Sequence, residues 1–137
     1  MSLSHIGIAV KDLNQAIDSY TRLLGSGPEM IEEVDDQQVK VAMFNLNESA
    51  VVKGPSRIEL LQATSESSPL ARSIAKRGEG LHHICLYVEN LDEKLRELEQ
   101  AGVKLIDTKP RQGAGGCRIA FVHPSGFNGV LLELQER

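Results

Sequence analysis

Apolar and polar residues follow two rhythms along this chain. From His5 the run HIGIAV alternates with a period of two, as a strand buried on one face does; beyond Asp12 the spacing becomes helical. Leu13, Ala16, Ile17, Tyr20, Leu23 and Leu24 form the helical stripe. Asp12 stands at its N-cap with Gln15 three residues on, and Gly25 stops it. The same events recur from His83. HICLYV alternates, Asn90 caps with Glu93 three residues on, Leu91, Leu95 and Leu98 form the stripe, and Gly102 ends it. The two segments align without a gap at an offset of 78 (5 to 83), from His5/His83 through Val10/Val88 to Leu13/Leu91.

Runs rich in β-branched and apolar residues follow each helix. In the first half they predict strands at Met30–Val34, Val39–Asn45 and Arg57–Gln62, broken at Asp35-Asp36 and Gly54-Pro55. In the second half they predict strands at Lys104–Asp107, Arg118–Val122 and Gly129–Gln135, broken by GAGG and by Pro124-Ser125-Gly126. Ser68–Lys76 reads as a short connecting helix. The fold class expected is α+β: two β-α-β-β-β modules, about residues 1–65 and 79–137, pairing into one curved mixed sheet. The whole chain, 137 residues, has the size of a single domain, and each module is too small to be stable alone.

Strand alternation then decides which side chains share a face. If Ile6, Ile8 and Val10 pack toward the first helix, His5, Gly7 and Ala9 lie on the other face. In the matching strand His83, Cys85 and Tyr87 do the same, so the two histidines occupy equivalent inner positions. The last strand of each half embeds a carboxylate in an apolar run, Glu59 in RIELL and Glu133 in VLLEL, 54 and 50 positions after the histidines. An ionised carboxylate withdrawn from water is costly unless it is paired or bound to a cation. Arg57 can pair with Glu59, but Glu133 has only Leu131 and Gln135 at that spacing. One divalent metal bound by His5, Glu59, His83 and Glu133 satisfies all four, and two imidazoles with two carboxylates suit Co, Ni, Mn, Fe or Zn. A lone inner histidine is more often a hydrogen-bonded core residue; the symmetric recurrence of four such placements favours the metal. Alternation puts His82 on the opposite face from His83, and His123 reads as a loop residue. Cys85 fits the role of a small buried hydrophobe. Gly113–Gly116 can present backbone N–H groups to an anionic substrate, with Gly115 and Gly116 as candidates, or simply form a hairpin turn.

Composition narrows the setting. Two cysteines form neither a disulfide framework nor a thiolate metal site, which leaves histidines and carboxylates to hold any ion. A formal net charge of -4 without a basic block argues against nucleic acid as a partner. With no apolar run of the roughly 18 residues a membrane span needs and no signal-like start, the expected setting is the cytoplasm, without a membrane partner.

The segments HIGIAVKDL, RIELLQATSESSPLARSIAKRGEGLHHI, GAGGCRIAFVHP and GVLLEL resemble the vicinal oxygen chelate superfamily (glyoxalase, bleomycin resistance protein and dioxygenase). Within it they resemble the methylmalonyl-CoA epimerase family over nearly the whole chain, the middle segment being the most specific. The resemblance implies metal ligands at His5, Glu59, His83 and Glu133, the second being Gln in some members. It also implies a homodimer, an acyl-CoA substrate and interconversion of (R)- and (S)-methylmalonyl-CoA. Val41 stands where some members carry a second acid, so only Glu133 is assigned to proton transfer, on one face of the substrate. Glyoxalase I is similar and can use the same ligand set. A dioxygenase would want two histidines and one carboxylate, and a non-catalytic binding module has little use for four ligand-type side chains.

Overall fold

The computed structural model describes residues 1–46 and 56–137, so the turn expected at Gly54-Pro55 lies outside the described residues. Its elements run β1 (Ser2–Ala9), α1 (Leu13–Leu24), β2 (Met30–Val34), β3 (Val39–Asn45), β4 (Arg57–Ala63), α2 (Pro69–Arg77), β5 (Gly80–Val88), α3 (Leu91–Gln100), β6 (Arg111–Gln112), β7 (Arg118–Val122) and β8 (Leu132–Glu136). The caps form as the sequence predicts: Asp12 Oδ1 accepts from the Gln15 amide at 3.1 Å, and Asn90 Oδ1 from the Glu93 amide at 3.0 Å. Gly25 closes α1 in the left-handed conformation, at φ 80°.

The eight described strands join one curled half-barrel sheet in the order β2-β3-β4-β1-β5-β8-β7-β6. β1 runs parallel to β4, and β5 parallel to β8, while β1 and β5 meet antiparallel at the centre. The order therefore reads the same outward from the β1–β5 seam in both directions.

Alternation along the strands sorts the side chains as the period of two requires. On the outer face Ala42, Phe44 and Leu60 pack under Leu13, Ala16 and Ile17 of α1, and Ala120, Val122 and Leu134 pack under Leu91, Leu95 and Leu98 of α3. The inner face of the first half is apolar at Val39, Val41, Met43 and Leu61, where Leu70 and Ile74 of α2 cover it. None of the described helices is long and apolar enough to cross a membrane.

Two expected strands differ. Lys104–Asp107 makes only a single bridge, Leu105 to Val122, and the short edge strand comes later, at Arg111–Gln112. The Asp107 carboxylate accepts from the Phe121 amide at 2.8 Å, taking a donor that a ladder would have used. The last strand begins at Leu132 rather than Gly129, because Asn128 and Gly129 turn the chain at φ 57° and 84°.

The seam has two interruptions. Leu3 opposite Leu86 is followed by His5 opposite Cys85, which leaves Ser4 without a partner on β5. Gly7 opposite His83 is followed by Ile8 opposite Leu81, which leaves His82 without a partner on β1. Each is a β-bulge, one extra residue on one strand of the pair.

Candidate metal centre

Four side chains meet on the inner face beside the seam. His5 comes from β1, Glu59 from its parallel neighbour β4, His83 from β5 and Glu133 from its parallel neighbour β8. All four are buried, between 3% and 6% exposed. His5 Nε2 lies 3.1 Å from Glu59 Oε2 and 3.5 Å from Glu133 Oε2, His83 Nε2 lies 2.8 Å from Glu133 Oε2, and the two Nε2 atoms are 3.0 Å apart.

These spacings suit an ion. With bonds of about 2.1 Å, neighbouring ligands around a divalent cation stand roughly 3.0–3.4 Å apart. The donor set, two imidazoles and two carboxylates, also suits a borderline divalent metal. Arg57 Nη2 lies 3.4 Å from Glu59 Oε1 and is the cation paired with that carboxylate. Burial pushes the Glu59 carboxyl up, with His5 and Arg57 opposing and Glu133 adding to the rise. Burial also acts to raise Glu133, but hydrogen bonds from His5 and His83 outweigh it and bring this carboxyl down to about 2. Two adjacent carboxylates thus divide into one that holds a proton more readily and one that stays ionised, which a cation between them would make unnecessary.

Cys85 is the residue opposite His5, and its Sγ lies within 4.8 Å of the ligand atoms of His5 and Glu133. It is fully buried, and burial pushes its thiol far above the usual range. The thiol stays protonated and points to Gln135 Oε1 at 3.8 Å, so Glu59, 3.1 Å from His5, is the better fourth ligand.

His82 requires a correction. Alternation sends it to the face opposite His83, yet both residues line the same cleft, and His82 Nδ1 lies 2.9 Å from His83 Nδ1. The bulge is the cause, since the extra residue breaks the period of two. Burial and then His83 bring the His82 imidazole down to about 4, so it is neutral at physiological pH. His123 caps the short turn Pro124–Gly126, its Nδ1 accepting from the Ser125 amide at 3.0 Å, and lines the cleft as well.

Gly115 and Gly116 form part of a short turn and do not line that cleft. The Gly115 N–H donates to Glu32 Oε2 at 2.7 Å and the Gly116 N–H to Gly113 O at 3.2 Å, so a carboxylate of this chain already takes the place expected of an anionic ligand.

Several residues that shape the centre carry no motif. Gly7 sits directly opposite His83, and a Cβ there would stand 2.2 Å from His83 Cε1; the ring lies where a side chain would be. Phe121, opposite Glu133 on β7, packs edge-on against His83 with ring centroids 5.7 Å apart. Its place inside the alternating run RIAFV is the signal that puts it on the inner face. The cleft, about 510 Å³, has apolar walls at Leu61, Leu70, Ile106 and Phe121, and cationic residues Arg72, Lys76 and Arg77 on the α2 side.

Residues 4–121 match the family model of the Glyoxalase/Bleomycin resistance protein/Dioxygenase superfamily. An ethylmalonyl-CoA/methylmalonyl-CoA epimerase of Cereibacter sphaeroides is 35% identical over 98% of this chain and 96% of its own length. The uncharacterized protein YqjC of Bacillus subtilis is 41% identical over 98% of this chain and 91% of its own. Among solved structures, a methylmalonyl-CoA epimerase in complex with methylmalonyl-CoA and NH4+ superposes with a TM-score of 0.91 at 35% identity, over 98% of this chain and 93% of that one. The chain belongs to the Glyoxalase/Bleomycin resistance protein/Dioxygenase superfamily and, within it, to the methylmalonyl-CoA epimerase family, whose members are isomerases.

Proposed function

We propose that this chain is a metal-dependent epimerase that interconverts (R)- and (S)-methylmalonyl-CoA. The observation that carries the reading is the convergence of His5, Glu59, His83 and Glu133 at a cleft with apolar walls and a cationic side. The relatives that bear this activity in their names match nearly the whole chain.

The reaction removes a proton from the carbon between the thioester and the carboxylate and returns one to the opposite face. His5, Glu59, His83 and Glu133 would hold a single divalent ion (Co, Ni, Mn or Zn), which would supply positive charge to substrate oxygens that become more negative as the proton leaves. Glu133 is the residue assigned to the proton on one face, being ionised and in contact with both histidines. Val41 is apolar and buried against Leu61 and Leu70, so the inner face of β3 contributes no carboxylate at that position. Arg72, Lys76 and Arg77 offer positive charge for the phosphates of an acyl-CoA. The organisation that goes with this reading is one domain, residues 1–137, built of two modules and acting as a cytoplasmic homodimer.

Incubation with methylmalonyl-CoA in deuterated water, with and without a chelator, tests the reading. The expected result is deuterium uptake at C2 that the chelator abolishes. No uptake, with rapid turnover of a glutathione hemithioacetal, would assign the same ligands to a glyoxalase I reaction instead. No uptake, with substrate binding that survives the chelator, would make the chain a binding protein.

A further inference from the structure

Adjacent residues of a regular strand face opposite ways, so the residue before an inner histidine belongs on the outer face. Ser4 precedes His5 and His82 precedes His83, yet each turns its side chain to the Nδ1 atom of the histidine that follows, at 3.0 Å and 2.9 Å. Both are the unpaired residue of a bulge, and the same offset of 78 that relates the histidines relates the bulges. Two interruptions of one seam, at equivalent positions and with the same outcome, point to a shared task.

The hydrogen bonds of Ser4 define that task. Its hydroxyl has one proton to give and two lone pairs to offer. Gln135 Oε1, an acceptor only, takes the proton at 3.0 Å, and Arg57 Nη2, a donor only, uses one lone pair at 3.3 Å. The amide of Gln135 is oriented for this by its own Nε2, which donates to Cys117 Sγ at 3.1 Å. What remains for His5 Nδ1 is a lone pair, so Nδ1 must carry the ring hydrogen. In the neutral imidazole that binds a cation, this leaves the Nε2 lone pair for the ion, and Nε2 is the atom aimed at Glu59, Glu133 and His83.

We propose that the bulge residues Ser4 and His82 are positioning residues: each holds the ring hydrogen of the next histidine on Nδ1 and so presents Nε2 of His5 and of His83 to a divalent cation. The bulges explain how this is done at so short a range, because only a residue that breaks the alternation can support its own neighbour on the same face. The inference rests on the cation-binding reading of the centre, but the Nδ1–H it assigns is held by Ser4 and His82 in the metal-free protein too, where Nε2 contacts Glu133 in place of an ion, and it can be read there.

The test uses the full-length protein with Ser4→Ala, Ser4→Thr, His82→Phe and His82→Asn, each checked for a cooperative thermal transition. Nitrogen-15 NMR of the metal-free proteins reports which ring nitrogen of each histidine bears hydrogen, and titration with Co(II) followed by visible absorption reports affinity. We expect Ser4→Ala to release His5, and His82→Phe to release His83, into a mixture of tautomers, with Co(II) affinity falling about 10- to 100-fold. Ser4→Thr keeps the hydroxyl and His82→Asn keeps an acceptor, and both restore the Nδ1–H form and most of the affinity. Folded Ser4→Ala and His82→Phe proteins that retain the Nδ1–H form and native affinity overturn the proposal. If Ser4→Ala does not fold, because Gln135 and Arg57 lose their partner, the half-buried His82 variants decide. If the unsubstituted protein binds no Co(II), the metal reading fails, and the tautomer shift alone decides whether the bulge residues position the rings.

Discussion

In the first half of the sheet, Glu59 has Arg57 two residues before it, 3.4 Å away; in the second, Glu133 has Leu131 at that position and instead contacts both histidines. The carboxyls differ in direction: burial takes Glu59 up against the pull of Arg57 and His5, whereas contact with both histidines brings Glu133 down to about 2. The seam shows the same inequality. His83 lies over Gly7, where no side chain fits, whereas the equivalent neighbour of His5 is Cys85, whose side chain is accommodated in full. A repeated frame thus sets positions, and the burial and contacts of each side chain set unequal environments. Two equal environments would give a site without distinct sides.

Removing ligands tests the frame most severely. His5→Ala and His83→Ala are both expected to lose bound metal, measured by elemental analysis after dialysis, while His82→Ala keeps it with weakened affinity. Metal loss from His82→Ala with retention in His83→Ala would exchange their roles. The seam inequality comes next. Gly7→Ala should displace the His83 ring, weakening Co(II) binding by more than about tenfold and destabilising the fold by about 1–3 kcal/mol, the range for an overpacked interior. Cys85→Ala, by contrast, should leave Co(II) affinity nearly unchanged. Equal effects of the two substitutions would show that the halves seat their histidines alike. The smallest effect concerns the outer face, where the halves are most alike. Asp12→Ala and Asn90→Ala should each cost about 1 kcal/mol in chemical denaturation, and a clear difference between them would mark one helix as the main support.

The frame and the four residues that meet at the seam are legible because their signals are local or periodic. Val39–Asn45 is a run of apolar and β-branched residues that follows the turn at Asp35-Asp36, and Asp12 and Asn90 each stand one residue before an apolar stripe. Glu59 and Glu133 stood out as charges inside apolar runs, which burial makes costly. A bulge has no such signature. Alternation assumes that every residue turns to the other face, so it misplaced His82 and gave no reason to single out Ser4. The strand expected at Lys104–Asp107 failed for a related reason, since the side chain of Asp107 takes an amide that the backbone pattern assigns to a ladder. The engagement of Gly115 by Glu32 joins residues 83 positions apart, beyond the reach of any local pattern.

The strand order also has a consequence for how the centre comes into being. β1 lies at the middle of the sheet, but its neighbour β5 begins at residue 80, and β8, which carries Glu133, is the last of the described strands. As the chain leaves the ribosome, β1 with His5 waits with one edge bare until the second half has been made. Loop closures this long slow folding, so the central strand needs the protection of early contacts with β4 and α1. Assembly of the four-residue cluster therefore needs strands from both halves, and a chain that holds a cation in it has β1, β4, β5 and β8 in place.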